Sequence, residues 1–179
     1  VEWEDDGEGA YRYYTVDPAD KGQLPYTWFS GTDVDDSDAT IEIDIEKLSG
    51  VTETYAGMVF DYVSATDYKF FVISYYGLFG IWSYTGTWSN WYGAEDEWWH
   101  STMAVDTAAG SMNTLKITTL HWVDTGGARR TNLATYINGT QTTNGNLLGW
   151  VGFGAAGMAV GVDSDEDFQS GYVDFRFSM

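Results

Sequence analysis

The sequence has no cysteine and only two prolines among its 179 residues. Without cysteine, the chain has no disulfide framework and no thiolate metal site. Long hydrophobic runs are also missing, and no stretch approaches the roughly 20 apolar residues of a membrane-spanning helix. We therefore expect no membrane insertion.

Basic residues are scarce as well. Eight Lys and Arg residues stand against 27 Asp and Glu residues, which gives a formal net charge of −19. A nucleic-acid partner is excluded because phosphate backbones are bound by clusters of Lys and Arg, and an anionic membrane surface is disfavoured for the same reason. The acid excess suits a solvated surface, divalent cations or a salty environment.

Aromatic and small residues are abundant instead. Phe, Trp and Tyr make up 17% of the chain, and there are 21 glycines. Because no window of helical periodicity exceeds about two turns, this composition favours β-strands joined by tight turns. We predict an all-β protein with a single domain over residues 1–179, in which residues 1–9 form an extended N-terminal arm. The chain begins at Val1 rather than Met, and we expect a secreted protein, extracellular or on the cell surface.

Turn residues divide the chain into about a dozen short segments, as is typical of a two-sheet antiparallel β-sandwich. The predicted strands are 11–16, 26–29, 39–47, 55–63, 68–75, 78–84, 112–123, 129–137, 140–143, 150–155 and 172–177. Asn138-Gly139 is a favoured two-residue hairpin turn.

Several segments carry a family resemblance from about residue 26 onward. They are "ATIEIDIEKLSG", "YAGMVFDYVSATDYKFFVIS", "GLFGIWSYTGTW", "NTLKITTL", "ATYINGTQ", "GWVGFGAA" and "VDFRF". In this order they resemble the concanavalin A-like lectin/glucanase superfamily, in particular the laminin-G-like and keto-disaccharide hydrolase-like modules of bacterial or archaeal extracellular proteins. The resemblance implies a concanavalin A-like jelly roll. Such folds host sugar binding, glycoside cleavage and adhesion, so function has to be argued from sites.

The stretch "EIDIE" places Glu42, Asp44 and Glu46 on one face of a strand, because side chains alternate with period 2. It resembles the catalytic strand of laminarinase and lichenase-type glucanases, in which two of three acids act as nucleophile and general acid/base. A retaining glycosidase needs carboxyls about 5–5.5 Å apart, whereas strand positions four residues apart are separated by roughly 13 Å. An ordinary strand with one solvated face is the preferred interpretation, and catalysis is the alternative.

Seven aromatic residues lie between Trp82 and Trp99. Trp and Tyr offer flat apolar faces for the C–H face of a sugar ring, together with polar groups for its hydroxyls. The predicted carbohydrate-binding residues are Trp88, Trp91, Tyr92, Trp98 and Trp99. Trp88, Trp91 and Trp98 adjoin turn residues and are expected to be the most exposed. The alternative is that several of these rings fill the core, and Trp82 is compatible with either face.

The same aromatic residues permit a second use. Exposed rings on a β-protein can be buried by a neighbouring copy. The extended N-terminus and the strand at 11–16, taken as an edge, would add to another subunit's sheet. The partner would then be the protein itself, in a filament or surface layer.

Clustered aspartates predict a structural Ca²⁺, which prefers six to eight oxygen ligands. The candidate ligands are Asp33, Asp35, Asp163, Asp165, Asp167 and Asp174. The resemblance implies a calcium near the first and last strands and thereby points to Asp174. Solvated acidic turns are the alternative.

The leading hypothesis is a secreted, non-catalytic glycan-binding or adhesive module, braced by calcium, whose partner is a polysaccharide or cell-surface glycan. A self-assembling structural subunit ranks second. A glycoside hydrolase that uses Glu42 and Glu46 ranks third.

Overall fold

A computed structural model of the chain describes residues 2–5, 10–15, 26–28, 39–50, 54–92, 99–108, 110–148, 155–162 and 173–178. Its strands are β1 (Glu2–Asp5), β2 (Ala10–Thr15), β3 (Tyr26–Trp28), β4 (Ala39–Gly50), β5 (Thr54–Ser64), β6 (Asp67–Ser74), β7 (Leu78–Tyr84), β8 (Trp88–Asn90), β9 (His100–Ser101), β10 (Met112–Val123), β11 (Arg129–Ile137), β12 (Thr140–Leu148), β13 (Ala155–Val162) and β14 (Val173–Ser178). No helix in this part of the chain is long and apolar enough to cross a membrane.

The strands form two antiparallel sheets. The first sheet has the order β1-β2-β14-β4-β10-β11-β12, and the second has the order β3-β13-β5-β6-β7-β8, with β9 also paired to β7. The predicted all-β, two-sheet antiparallel sandwich is confirmed.

The core lies between the sheets and follows from the alternation of side chains along each strand. In β4, Ile43 and Ile45 are at most 1% exposed, and they pack in one cluster with Phe71 of β6 and with Phe175 and Phe177 of β14. The inward positions of both sheets therefore supply the apolar surface whose burial drives folding.

Strand β6 is buried on both of its faces. Its inward residues Phe71 and Ile73 belong to the core, whereas Tyr68, Phe70 and Val72 belong to a second cluster on the outer face of the second sheet. A strand with one solvated face does not show this pattern. The outer face of the second sheet is thus aromatic and largely desolvated.

Most predicted strands are confirmed, and three differences stand out. Strand β2 lies between β1 and β14, so the prediction that it forms an edge is wrong. Strand β12 continues to Leu148, well beyond the predicted end at Thr143. Near the C-terminus the structure has a strand at Ala155–Val162, whereas residues 150–154 of the predicted strand lie outside the described residues.

The predicted hairpin turn between β11 and β12 is confirmed. Asn138 and Gly139 have φ angles of 50° and 77°, and the preference of Asn-Gly for positive φ at both central residues explains their presence here.

Ionisation of Tyr75, which directly follows β6, makes the stability of the fold depend on pH. The side chain is 4% exposed, and burial raises its pKa from 10.0 to about 12. Folding therefore favours the neutral phenol, whose contribution to stability is complete below pH 10 and is lost as pH rises toward 12.

Between pH 10 and 12, we expect the free energy of unfolding of the wild type to fall more steeply than that of Tyr75→Phe, by up to about 1.4 kcal/mol per pH unit. Urea unfolding at several pH values would measure this, and parallel curves for the two proteins would contradict it.

Candidate functional site

The outer face of the second sheet carries a continuous layer of rings, which we call the aromatic face. The register of β6 and β7 creates it, because Tyr68 lies opposite Tyr84 and Phe70 lies opposite Trp82. Its members are Tyr55, Tyr62, Tyr68, Phe70, Trp82, Tyr84, Trp88 and Trp99, with the aliphatic residues Val59 and Val72.

Trp88 is the exposed end of this layer. Its side chain is 40% exposed, and its ring stacks on Phe70 at 5.4 Å between centroids. Tyr84 lies at 5.0 Å and Trp82 at 6.3 Å. Part of the Trp88 ring is thus exposed to solvent, and contacts with the neighbouring rings fix its orientation.

A tight hairpin positions Trp88. The β7–β8 turn contains Gly86 at φ 84°, a conformation that favours glycine, and the Thr85 N–H donates to the Thr87 carbonyl oxygen at 3.1 Å. Thr85 and Thr87 are exposed in this turn, directly before Trp88 in the chain. The tip therefore supplies hydroxyl groups next to an apolar surface.

Trp82 and Trp99 form the other end of the aromatic face. Their centroids lie 4.8 Å apart in an edge-to-face arrangement, and Tyr55 contacts both rings at 5.4 and 5.9 Å. Trp82 is only 7% exposed although it points away from the core, which Ile81 enters instead. The sequence left open which face of the sheet Trp82 occupies, and the structure places it on the outer face.

Trp91 and Tyr92 lie elsewhere, at the edge of the sandwich. Trp91 is half-buried and packs against the core, with Phe60 at 6.0 Å and the Lys69 Nζ 5.5 Å from its ring centroid. The prediction that Trp91 is exposed is wrong, because this ring folds in between the sheets. Tyr92 is 38% exposed and meets His100 at 4.9 Å.

The structure thus divides the five predicted sugar-binding residues. Trp88 and Trp99 join the aromatic face, Trp91 and Tyr92 lie at the sandwich edge, and Trp98 lies outside the described residues. Tyr55, Tyr68 and Tyr84, which the sequence analysis did not select, complete the platform. Each of these tyrosines lies on a different strand, β5, β6 or β7. The sequence could have indicated that they share one face of the sheet only if the inward-facing positions of each strand had been known.

A small cavity of about 40 Å³ opens between the sheets beside Trp91 and Tyr92. Its lining also includes Ile81, Leu133, Thr143 and Gly145. The cavity therefore lies between the β7–β8 end of the second sheet and strands β11 and β12 of the first.

A mostly buried ion pair lies near Trp91. The Lys69 Nζ bonds to the Asp61 carboxylate, and their side chains are 15% and 19% exposed. Burial raises the pKa of Asp61, although the Lys69 ammonium opposes this. Asp61 also has φ 50°, a left-handed conformation that is uncommon outside glycine but that Asp adopts more readily than most residues. Sequence analysis missed this pair, because the register shift between β5 and β6 brings it together.

The acids of "EIDIE" project from the outer face of the first sheet. Glu42, 53% exposed, pairs with Lys116 at 3.5 Å. Asp44 accepts a hydrogen bond from the Thr114 hydroxyl at 2.5 Å, and Glu46 lies in register with Arg176. The predicted alternation is confirmed, but the acids and the aromatic face lie on opposite sides of the sandwich.

Asp174 is the one predicted calcium ligand within the described residues. It is 4% exposed, and its Oδ2 accepts a hydrogen bond from the Ser49 hydroxyl at 3.5 Å. Among the residues that the structure covers, no group of three His, Cys, Asp or Glu side chains could hold a metal ion. Asp33, Asp35, Asp163, Asp165 and Asp167 lie outside those residues, so calcium stays a prediction.

The fold is shared with two solved structures of sugar-related proteins. Carbohydrate binding module CBM66 from Bacillus subtilis is similar with a TM-score of 0.62 and 16% identity, over 99% of this chain and 88% of that one. The fold is a concanavalin A-like jelly roll. Bacillus licheniformis β-glucanase is similar with a TM-score of 0.53 and 10% identity, over 99% of this chain and 82% of that one. No protein-family model and no curated protein matches the sequence.

At these identities the likeness establishes the architecture of the jelly roll and not its chemistry. Any site must therefore be argued from the two outer faces. One carries a column of acids, and the other carries the aromatic face.

Proposed function

We propose that this jelly roll is a non-catalytic glycan-binding module whose ligand stacks on the aromatic face at Trp88. The observation that carries the proposal is the partial exposure of Trp88, at 40%, above a ring of Phe70 stacked 5.4 Å away. An exposed, immobilised aromatic surface binds the C–H face of a pyranose with little loss of side-chain entropy.

The chemistry of the surroundings supports a sugar rather than an apolar ligand. Thr85 and Thr87 are exposed in the turn directly before Trp88. Hydroxyl groups can donate and accept hydrogen bonds, as sugar hydroxyls require. The shared fold of a carbohydrate binding module from Bacillus subtilis also favours this assignment.

The acid column supports the non-catalytic part of the proposal. A glycosidase keeps one carboxyl protonated through burial and holds the second about 5–5.5 Å away, or somewhat farther in inverting enzymes. Glu42 is instead 53% exposed and paired with Lys116, and Asp44 is tied to Thr114. Trp82, Trp88 and Trp99 lie on the opposite face and cannot position a sugar over these acids.

The test is Trp88→Ala, measured by tryptophan fluorescence with glycans that a glycan array identifies. We expect affinity to fall about thirtyfold, since removal of a central aromatic contact costs roughly 2 kcal/mol. Trp122→Ala is the matched control, because Trp122 is another half-buried tryptophan, placed on the first sheet. It should bind like the wild type.

Equal loss in both tryptophan variants, or unchanged affinity in Trp88→Ala, would place the ligand elsewhere. Cleavage of β-glucans that disappears in Glu42→Gln would overturn the non-catalytic assignment and favour the glycosidase. Thermal melting of each variant separates lost binding from lost folding.

A further inference from the structure

The cavity beside Trp91 and Tyr92 exists because an inward position of β12 is a glycine. Gly145 lies opposite Leu133 of β11 in the register of the first sheet, and residues directly opposite each other project from the same face. Leu133 belongs to the core, so a side chain at position 145 would also point between the sheets. A Cβ atom there would meet no atom within 4 Å. The missing side chain therefore leaves a cavity that is open at the edge of the sandwich, where Gly145 is exposed.

The volume of the cavity limits what can enter it. It is about 40 Å³, whereas one water molecule needs about 10–15 Å³. The cavity therefore admits a group of about three heavy atoms and excludes a whole sugar ring. Ile81, Leu133 and Trp91 make most of its wall apolar, which favours a methyl group over water and disfavours a charged carboxylate or sulfate.

Thr143 gives the wall of the cavity an acceptor oxygen. The hydroxyl oxygens of Thr135 and Thr143 lie 2.7 Å apart, and those of Thr135 and Thr142 lie 2.8 Å apart. The Thr142 hydroxyl also donates to the Thr135 carbonyl oxygen at 3.1 Å. Because each hydroxyl has a single hydrogen, all of these contacts are hydrogen bonds only if Thr135 donates to Thr142 and Thr143 donates to Thr135. The Thr143 oxygen can then only accept, so its ligand must offer an N–H or O–H group.

Tyr92 forms a fixed aromatic surface at the mouth of the cavity. Its side chain is 38% exposed, and its ring lies 4.9 Å from that of His100 and 6.2 Å from that of Phe79. Its backbone N–H donates to the Asn90 Oδ1 at 3.3 Å, and its carbonyl oxygen lies 3.0 Å from the His100 Nε2. A ring held in this way can stack on the C–H face of a sugar while a substituent of that sugar enters the cavity.

We propose that this cavity is a second glycan-binding site, which takes the acetamido group of an N-acetylated amino sugar. The acetyl group matches the cavity in size, its methyl group contacts the apolar wall, and the amide N–H is the donor that Thr143 requires. The sugar ring stays outside, on Tyr92. Such sugars are neutral, which suits a protein of net charge −19 that repels acidic glycans. The inference extends the proposed glycan-binding function to a site separate from Trp88, which lies on the aromatic face.

The test is a titration with N-acetylglucosamine and with glucose, followed by the methyl NMR signals of Ile81 and Leu133. The two sugars differ only in the acetamido group, which is a hydroxyl in glucose. We expect N-acetylglucosamine to bind at least about tenfold more tightly than glucose and to shift both signals, since a buried methyl group and a hydrogen bond are gained together.

Gly145→Val is the decisive variant, because its methyl groups occupy the cavity while a β-branched residue suits a strand. We expect it to lose the preference for N-acetylglucosamine over glucose. Asn144→Val is the matched control, since it adds the same side chain at the neighbouring exposed position, which faces the other side of the sheet. It should keep the preference. Thermal melting separates lost binding from lost folding, and Gly145→Ala, which adds a single carbon, repeats the test if Gly145→Val unfolds.

Thr143→Val tests the acceptor oxygen. It keeps nearly the same shape and removes the hydroxyl, so we expect the affinity for N-acetylglucosamine to fall about tenfold while the affinity for glucose changes little. An unchanged preference for N-acetylglucosamine would overturn the role of Thr143.

Several results would overturn the proposal as a whole. They are equal affinity for the two sugars, unchanged signals of Ile81 and Leu133, and a Gly145→Val variant that keeps the preference. N-acetyllysine that binds as tightly as N-acetylglucosamine would assign the cavity to acetylated peptides instead of sugars.

Trp88→Ala distinguishes failure of this inference from failure of the proposed function. It should keep the preference for N-acetylglucosamine and lose affinity for array glycans without acetamido groups, whereas Gly145→Val should do the reverse. A preference that disappears in Trp88→Ala and persists in Gly145→Val would place the acetamido sugar on the aromatic face and overturn the second site.

Discussion

Lys69→Met is expected to lower the free energy of unfolding at neutral pH by about 3 kcal/mol, because it leaves a mostly buried carboxylate without its cation. Asp61 and Lys69 are 19% and 15% exposed in their side chains, so water compensates little for the lost charge. Methionine preserves the aliphatic stem beside Trp91, whose ring lies 5.5 Å from the Lys69 Nζ. The loss therefore reports the charge rather than the packing.

Acid should partly reverse this loss. Burial already raises the pKa of Asp61 in the presence of Lys69, and removal of the ammonium raises it further. A raised pKa in the folded state means that the contribution is complete below the unfolded value of 3.8 and is lost as pH rises through the folded pKa. The stability difference between Lys69→Met and the wild type should accordingly shrink as pH is lowered from neutral to about 4.

Urea unfolding at both pH values measures the effect. The double variant Asp61→Asn, Lys69→Met is the control, since it removes both charges and should regain much of the lost stability. A double variant as unstable as Lys69→Met, or a single variant as stable as the wild type, would show that the pair carries no net charge interaction.

Asn113→Ala is expected to cost about 3 kcal/mol, because a fully buried amide that joins three chain segments is lost. Asn113 is 0% exposed. Its Oδ1 accepts from the Asp106 N–H at 2.7 Å and from the Asn138 side chain at 2.9 Å, and its Nδ2 donates to the Asp106 carbonyl at 2.9 Å. The loop before β10 and the β11–β12 turn would both lose their anchor.

Chemical denaturation of Asn113→Ala and Asn144→Ala tests this prediction. Asn144 is an exposed amide of the same type, and its removal should change stability by less than about 0.5 kcal/mol. Equal and small losses in both variants would mean that water replaces the hydrogen bonds of Asn113.

Strand positions were predictable to the extent that they depend on local pattern. The period-2 alternation of Ile43 and Ile45 with acids, and the Asn138-Gly139 turn, each identified an element from a few neighbouring residues. The predicted end of β12 at Thr143 was wrong because the local pattern there is weak, and the strand continues to Leu148. Glycines, small residues and polar Thr–Asn runs carry little strand signal, and pairing with a neighbour decides them.

The candidate site was predictable only in part. Its composition, a cluster rich in tryptophan, was visible from Trp82 to Trp99. The division of that cluster was not, since Trp88 and Trp99 reach the aromatic face while Trp91 enters the space between the sheets. The Asp61–Lys69 pair and the Asn113 hydrogen bonds join residues from different strands or loops and left no mark in the local sequence.

The sequence by itself determined that this protein is an all-β sandwich, strongly acidic, without disulfides and rich in aromatic residues, because composition and alternation are local properties. Only the tertiary structure decided that Ile81 points inward and Trp82 outward, and that the acids of "EIDIE" and the aromatic face lie on opposite sides. It also decided that β12 is an edge and β2 is not. These outcomes depend on strand register and strand order, which arise from contacts between residues far apart in the chain.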